Sequence, residues 1–378
     1  MTSGGVISTV YPPTHPAYTD RPNPATTSHP TLDMKLLQFA AVSAITTMAL
    51  FAAPTPTLAS DDAQVVVLPG GEGIGKGKHI VLLSGDQEYR SEETIPQLAK
   101  ILSKRHGFQC TVLFTVNPKD GTIDPAVTNP IPGLEALKTA DLFVIFSRYL
   151  NPSDDQMAYI DAYVSSGKPV VGLRTATHAF NIPAERKFAK YGDGSRVKGW
   201  EGGFGKVVLG EKWVNHHGAH GKEGTRGVIA TGQEGHAILK GIKPGEIFGT
   251  TDVYTVNLPL KGDSTPLVLG EVTATLEPTS KAVEGKKNDP MMPVAWTKTY
   301  KGENGTTGRV FTTTMGTSQD FAFEGTRRLI VNGCLWAVGL DGKIPDATDV
   351  TIVGTFKPTP FKFGGHQKGV KPADTVKE

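Results

Sequence analysis

Cysteine is almost missing from this chain: Cys110 and Cys334 are the only two among 378 residues. Two cysteines cannot form a disulfide framework. One falls in a predicted strand and the other in a predicted helix, so both read as core filling; a single bond between them depends on Cα positions that a sequence does not contain. Charge of one sign is missing as well. The 39 Lys and Arg against 37 Asp and Glu, with no long run of either, exclude the electrostatic footprint that a nucleic-acid backbone or an anionic membrane demands. The expected partner is a small molecule, not nucleic acid. No Cys-x-x-Cys or His-Glu-x-x-His signature of a zinc site is present, and no internal repeat is visible. The glycine-rich stretch 69–77 precedes the first strand and lacks the Lys-Ser/Thr ending of a P-loop, so it reads as a linker.

What is present begins with two non-globular pieces. Residues 1–33 are rich in Pro, Thr and Ser without apolar periodicity, and such a segment cannot bury enough surface to offset its ordering entropy. Residues 34–59 then show Met34 and Lys35, an uncharged run from Leu36 to Ala53, and the small-residue exit Thr57, Leu58, Ala59. That is the pattern of a secretory signal peptide cleaved after Ala59. The run is also close to the roughly 18 residues of a membrane span, but its Thr, Ser and Gln content and the following Pro54 and Pro56 favour the signal peptide. The expectation is a secreted or periplasmic protein with no stable membrane span after cleavage. A standard signal starting at Met34 also suggests that residues 1–33 precede the true start.

From His79 the chain alternates between strands and helices. The runs 79–84, 109–116, 142–146 and 169–173 are continuously apolar. Between them, Ile95, Leu98, Ala99 and Leu102 mark a helix face at i, i+3, i+4, i+7, and Asn151, Pro152 and Ser153 open a second helix. Pro96, placed in a first turn, sets the first helix start near 92–94. Apolar runs separated by helices predict a parallel sheet covered on both faces. Beyond Thr175 the segments 206–209, 227–230, 247–256, 267–272, 294–300 and 309–314 read as added β structure, followed by a helix over 325–340. The tail from about Lys357, rich in Pro, Gly and Lys, is expected to be loosely packed. The layout is thus a linker over 60–77, one α/β domain over 78–342 and an extension over 343–378.

In open parallel sheets ligands sit outside the carboxyl ends of the strands. Here those ends read Asp86, Gln87, Glu88, Tyr89, Arg90, Ser91, Glu92 after the first strand, Ser147, Arg148, Tyr149 after the third, and Arg174, Thr175, Ala176, Thr177, His178 after the fourth. Taken singly, such charges pair with one another as a solvated rim. Taken together, carboxylates and an arginine fork suit polyol hydroxyls and a carbonyl, and an imidazole moves protons near neutral pH. A second cluster holds Trp213, Asn215, His216, His217 and His220. Its histidines serve either as carbonyl or substrate contacts or, with His216, His217 and His220 as candidates, as ligands of a divalent metal. Asp252 and Tyr254, in a polar strand, are the partners expected for that loop. No cofactor beyond that metal is indicated, and a homo-oligomer stays open.

The segments GDQEYRSEE, ADLFVIFSRYL, GKPVVGLRTATHAF, KWVNHHGAHGKEGTRGV and PVAWTKTYKGENGTTGRVFTTTMG, followed by RRLIVNGCLWAVG, resemble ThuA-like (trehalose utilisation-like) proteins over residues 78–342, particularly a secreted planctomycete-type group. The resemblance implies a flavodoxin-like, class I glutamine amidotransferase-like fold and a link to sugar metabolism, in some members to 3-keto-disaccharides. That wider superfamily often carries a cysteine nucleophile on the turn after the fourth strand, where this chain has Arg174 and Thr175, so amidotransferase or peptidase chemistry is not implied. The Gly-His common after the last strand is Gly316 and Thr317 here.

These readings converge on acid/base processing of a sugar or 3-keto-glycoside. His178 is the expected acid or base, Asp86 or Glu88 its counterpart, and Arg148 and Arg174 the oxyanion holders, Arg174 in the catalytic group. The substrate-binding set is Tyr89, Arg90, Glu92, Arg148, Thr175, Thr177, Asn215, His216, His217, Asp252 and Tyr254. Two rivals stand beside it: a non-catalytic carbohydrate-binding module stacking sugar on Trp200, Trp213 and Tyr254, and a metal-dependent hydrolase built on the loop 216–220.

Overall fold

The computed structural model describes residues 64–377; the 1–33 segment and the signal peptide lie outside the described residues. Twelve strands are present among them: β1 (Val66–Leu68), β2 (His79–Gly85), β3 (Gln109–Phe114), β4 (Leu142–Ser147), β5 (Val170–Leu173), β6 (Asn215–His216), β7 (Gly224–Ile229), β8 (Phe248–Gly249), β9 (Tyr254–Thr255), β10 (Thr265–Thr273), β11 (Met292–Lys301) and β12 (Thr307–Thr313). The α-helices are α1 (Ser91–His106), α2 (Asp154–Ser165), α3 (Gly203–Val207), α4 (Ser318–Ala322) and α5 (Glu324–Ala337). Ten strands form one sheet in the order β1-β3-β2-β4-β5-β12-β11-β10-β7-β8, and β6 with β9 makes a separate ladder. β3, β2, β4, β5 and β12 run parallel. The α/β class therefore holds, with the β-rich part continuing the parallel sheet as an antiparallel wing.

The continuous apolar runs are explained by what lies on each face. Ile80 and Leu82 of β2, with Val144 and Phe146 of β4, join one core with Ile95 and Leu98 of α1 and Leu329 and Ile330 of α5. Val81, Leu83, Phe143 and Ile145 point the other way and meet Met157, Ile160 and Val164 of α2. With both faces covered, the middle of each of these strands is apolar, and the polar His79, Ser84 and Ser147 fall at the strand ends.

Five expectations are corrected. Residues 206–209 are not a strand, since α3 covers 203–207; Gly205 sits so close to the 174–178 turn that an added Cβ would lie 1.9 Å from the Thr177 carbonyl oxygen. The polar stretch 247–256 is only two dipeptide strands, β8 and β9, because Asp252 and its neighbours turn inward to a polar cluster. The stretch 64–77 is not simply a linker: β1 pairs antiparallel with β3, and the Gly71 and Gly75 amides donate to the Gly107 and His106 carbonyls. α1 starts at Ser91 rather than at 92–94, because Ser91 Oγ meets Ser84 Oγ at 2.9 Å and accepts from the Asp86 amide at 3.0 Å. This ties the helix to the strand end and leaves Pro96 in the second turn.

The tail is the fifth. Rather than lying loose, it returns across α1: Lys362 and Gly364 amides donate to the carbonyls of Glu88 and Gln87, and the Arg90 guanidinium donates to the carbonyls of Pro360 and Lys362. Backbone pairing holds it where composition suggested freedom. Cys110 and Cys334 are buried free thiols, so no disulfide joins them. No described helix is long and apolar enough to cross a membrane.

Candidate functional site

Three non-glycine residues among those described have left-handed backbone: Arg90 at φ 61°, Tyr149 at φ 48° and Arg174 at φ 45°. Each follows the carboxyl end of a parallel strand, β2, β4 or β5. Such backbone costs on the order of 1–3 kcal/mol per residue and persists only where surroundings enforce it. At position 174 it turns the guanidinium into the centre of a buried aromatic and polar cluster.

Arg174 is that centre. Its guanidinium lies 3.8 Å from the centroid of the Tyr254 ring and 4.5 Å from that of Tyr89. It donates to the Asp252 carbonyl at 2.9 Å, the Thr314 carbonyl at 2.7 Å and Asp252 Oδ1 at 3.1 Å. Both ions are fully buried, at 1% and 0% side-chain exposure, which is tolerable only because each is paired and hydrogen-bonded. Burial pushes the Asp252 carboxyl up, but hydrogen bonds from His216 and His220 and the Arg174 charge outweigh it and hold the group below its ordinary range.

The histidine loop reaches this pair through the β6–β9 ladder, in which His216 stands opposite Tyr254. His216 Nδ1 is 2.7 Å from Asp252 Oδ2. His220 Nδ1 is 3.1 Å from Asp252 Oδ1 and its Nε2 3.1 Å from Glu88 Oε1. His220 thus bridges two carboxylates on separate strand ends. Hydrogen bonds to Asp252 and Glu88, opposed by partial burial, raise its pKa to about 9. A folded value above the unfolded 6.5 means that His220 contributes stability fully below about pH 6.5 and loses that contribution as pH rises through about 9. The groups facing it are Glu88, Asp252, His216 and Tyr89, with Arg174 behind Asp252. In chelator-treated protein the melting temperature of the wild type should fall from pH 6.5 to 9 relative to that of His220→Gln; parallel profiles would refute the bridge.

Asp86 and His178 lie at the expected strand ends, with their polar atoms turned to neighbouring groups. Asp86 Oδ1 accepts the amides of Glu88 and Tyr89, and Oδ2 accepts Thr175 Oγ1 at 2.6 Å. Its oxygens are occupied in shaping the turn, and burial pushes its pKa up. His178 is buried, with Nδ1 3.2 Å from Thr177 Oγ1 and its ring packed among Tyr149, Trp213 and Tyr254 at centroid distances of 5.0, 5.3 and 6.3 Å. Burial, then the charges of Arg148 and Arg174, hold its pKa well below 6.5. Burial thus favours the neutral ring, which keeps one N–H donor and one acceptor nitrogen.

Several predicted residues stand aside. His217 Nε2 faces the Lys287 carbonyl at 2.9 Å. Asn215 accepts from the His216 amide and is exposed. Arg90 pairs with Glu92 at 2.9 Å and anchors the tail. Arg148 lies over Tyr149 and Phe363 and meets Gln87. Trp200 packs edge-on against Tyr191 with Lys190 over its ring, away from Trp213 and Tyr254, and Tyr254 is itself 2% exposed; the three stacking faces of a binding module do not assemble. Phe361, which nothing in the sequence singled out, packs on Tyr89 and on His220 at centroid distances of 5.3 and 5.0 Å. A cavity of about 300 Å³ lies off to the side, between α1 and the tail, lined by Glu92, Gln97, Lys100, Phe356 and Val370 among others.

A family model described as ThuA, trehalose utilisation, matches residues 79–337. The chain belongs to the ThuA family. The matched region contains the strand-end residues and the 212–220 loop, whereas the tail that seats Phe361 lies beyond it. Two solved structures are similar to this ThuA chain. A ThuA-like protein from Parabacteroides merdae is 16% identical, with a TM-score of 0.45, covering 80% of this chain and 100% of that one. A ThuA-like protein from Bacteroides uniformis is 15% identical, with a TM-score of 0.42, covering 74% and 98%. No curated protein matches the chain.

Proposed function

We propose that this ThuA protein processes a sugar or 3-keto-glycoside by acid/base chemistry at the Glu88–His220–Asp252 bridge, after export directed by residues 34–59. Membership of a family tied to trehalose utilisation supports the carbohydrate class. The observation that carries the chemistry is that His220, with 35% of its side chain exposed, holds a carboxylate on each ring nitrogen. A base and a hydrogen-bond donor are thereby fixed side by side at the carboxyl ends of the strands.

On a 3-keto-glycoside the roles are concrete. Glu88 takes the proton from the carbon beside the ketone, and the released pair forms an enolate whose oxygen accepts a hydrogen bond from the His220 N–H. Return of the proton to the former carbonyl carbon, with the adjoining hydroxyl proton passing to the enolate oxygen, isomerises the sugar; expulsion of the glycosidic oxygen on the next carbon, which takes the proton held by Glu88, eliminates it as an alcohol. Both outcomes share the first step. Proton NMR of a 3-keto-disaccharide in D2O with the wild type should therefore show exchange of the proton beside the ketone, with or without net conversion. Saturable binding with no exchange and no conversion would overturn the enzyme reading and leave a binding protein.

A further inference from the structure

The His216–His220–Asp252 cluster has a second property that the proton-transfer reading does not use. One ligand atom from each of the three lies within 4.8 Å of the others. Three ligands about 2.0–2.2 Å from one tetrahedral ion stand roughly 3.3 Å apart, and here His216 Nδ1 and His220 Nδ1 already lie 2.7 and 3.1 Å from the two oxygens of Asp252. Both histidines turn the same nitrogen toward the carboxylate.

The surroundings are those of a ligand set held by outer hydrogen bonds. A metal-bound histidine usually donates its other N–H to a carboxylate, fixing its tautomer and ring orientation. His220 Nε2 stands 3.1 Å from Glu88 Oε1. A ligating carboxylate is in turn held by a donor, and Asp252 is held by the Arg174 guanidinium at 3.1 Å. The histidine side chains are 36% and 35% exposed while Asp252 is at 0%, so the buried ligand is the floor and solvent has access from the other side.

We propose that His216 Nδ1, His220 Nδ1 and the Asp252 carboxylate bind one divalent transition-metal ion, with zinc best suited to two imidazoles and one carboxylate. Glu88 and Arg174 are positioning residues for that set. Three protein ligands leave a fourth position for water or a substrate oxygen, so the ion would hold the ketone or hydroxyl of the substrate already proposed. This differs from a site on His216, His217 and His220: the third ligand is Asp252, and His217 is spent on a carbonyl.

Full-length mature protein, stripped with chelator, should bind one Zn2+ per chain by calorimetry. His216→Ala and His220→Ala should each weaken that binding by at least about 10-fold, a loss typical even of outer-shell changes, while His217→Ala leaves it unchanged. Co2+ in place of Zn2+ should give visible absorption bands that disappear in His216→Ala and remain in His217→Ala, with circular dichroism showing that each variant is folded. No stoichiometric binding of either ion, or binding that survives both histidine changes, overturns the proposal. Because binding is read without turnover, this site and the acid/base reading can fail separately.

Discussion

Replacing Arg174 with methionine should destabilise the protein by about 3–5 kcal/mol, the range for removing one partner of a buried ion pair. Among the described residues, the guanidinium is the one cation in contact with the Asp252 carboxylate that does not depend on the protonation of a histidine, and it donates to two buried carbonyls. Methionine fills much of the volume between Tyr89 and Tyr254 but returns none of those donors, and three buried acceptors lose a partner. The left-handed backbone at this position burdens methionine as it burdens arginine, so the comparison isolates the side chain. Arg174→Lys should recover only part of the loss, since an ammonium cannot reproduce the fork. Adding Asp252→Asn to Arg174→Met should cost less than the sum of the two single changes, because the charge left unpaired is then gone. Urea unfolding at pH 7 measures all four variants beside the wild type; a loss below about 1 kcal/mol for Arg174→Met would show that the pair holds nothing together.

Glu88→Gln should lower turnover of a 3-keto-disaccharide by about 10²–10⁴-fold, the usual worth of a positioned general base, in a protein that circular dichroism shows to be folded. The amide keeps the shape of the carboxylate and an oxygen for His220, but it cannot take a proton. The same assay applied to His178→Gln separates the two candidate bases. His178 packs among three aromatic rings and is nearly out of reach of solvent at 3% exposure, so its replacement should cost stability first. If His178→Gln abolishes proton exchange in a folded protein while Glu88→Gln preserves it, His178 and not Glu88 is the base.

Much of this was legible in the chain. The four apolar runs and their helices appear where the two-face burial pattern placed them, because a strand covered on both sides is apolar over most of its length and that is a local property. The strand ends were legible for the complementary reason: they are the first residues beyond the covered part of the sheet, and Asp86, Glu88, Arg174 and His178 had to lie there. Less legible was what each would touch. Asp86 and Glu88 are two residues apart and similar in chemistry, yet one folds back on its own turn and the other faces His220.

The amino-acid sequence by itself determined the α/β class, the family and the set of polar groups at the sheet's carboxyl edge, since all of these follow from periodicity and short segments. Tertiary structure alone decided the pairings. His220 meets Asp252 because β6 and β9 lie side by side. The tail meets Arg90 across a separation of 270 residues. Which loop closes on which strand end depends on the order of strands in the sheet and on backbone hydrogen bonds between distant segments, and no local pattern of side chains encodes either.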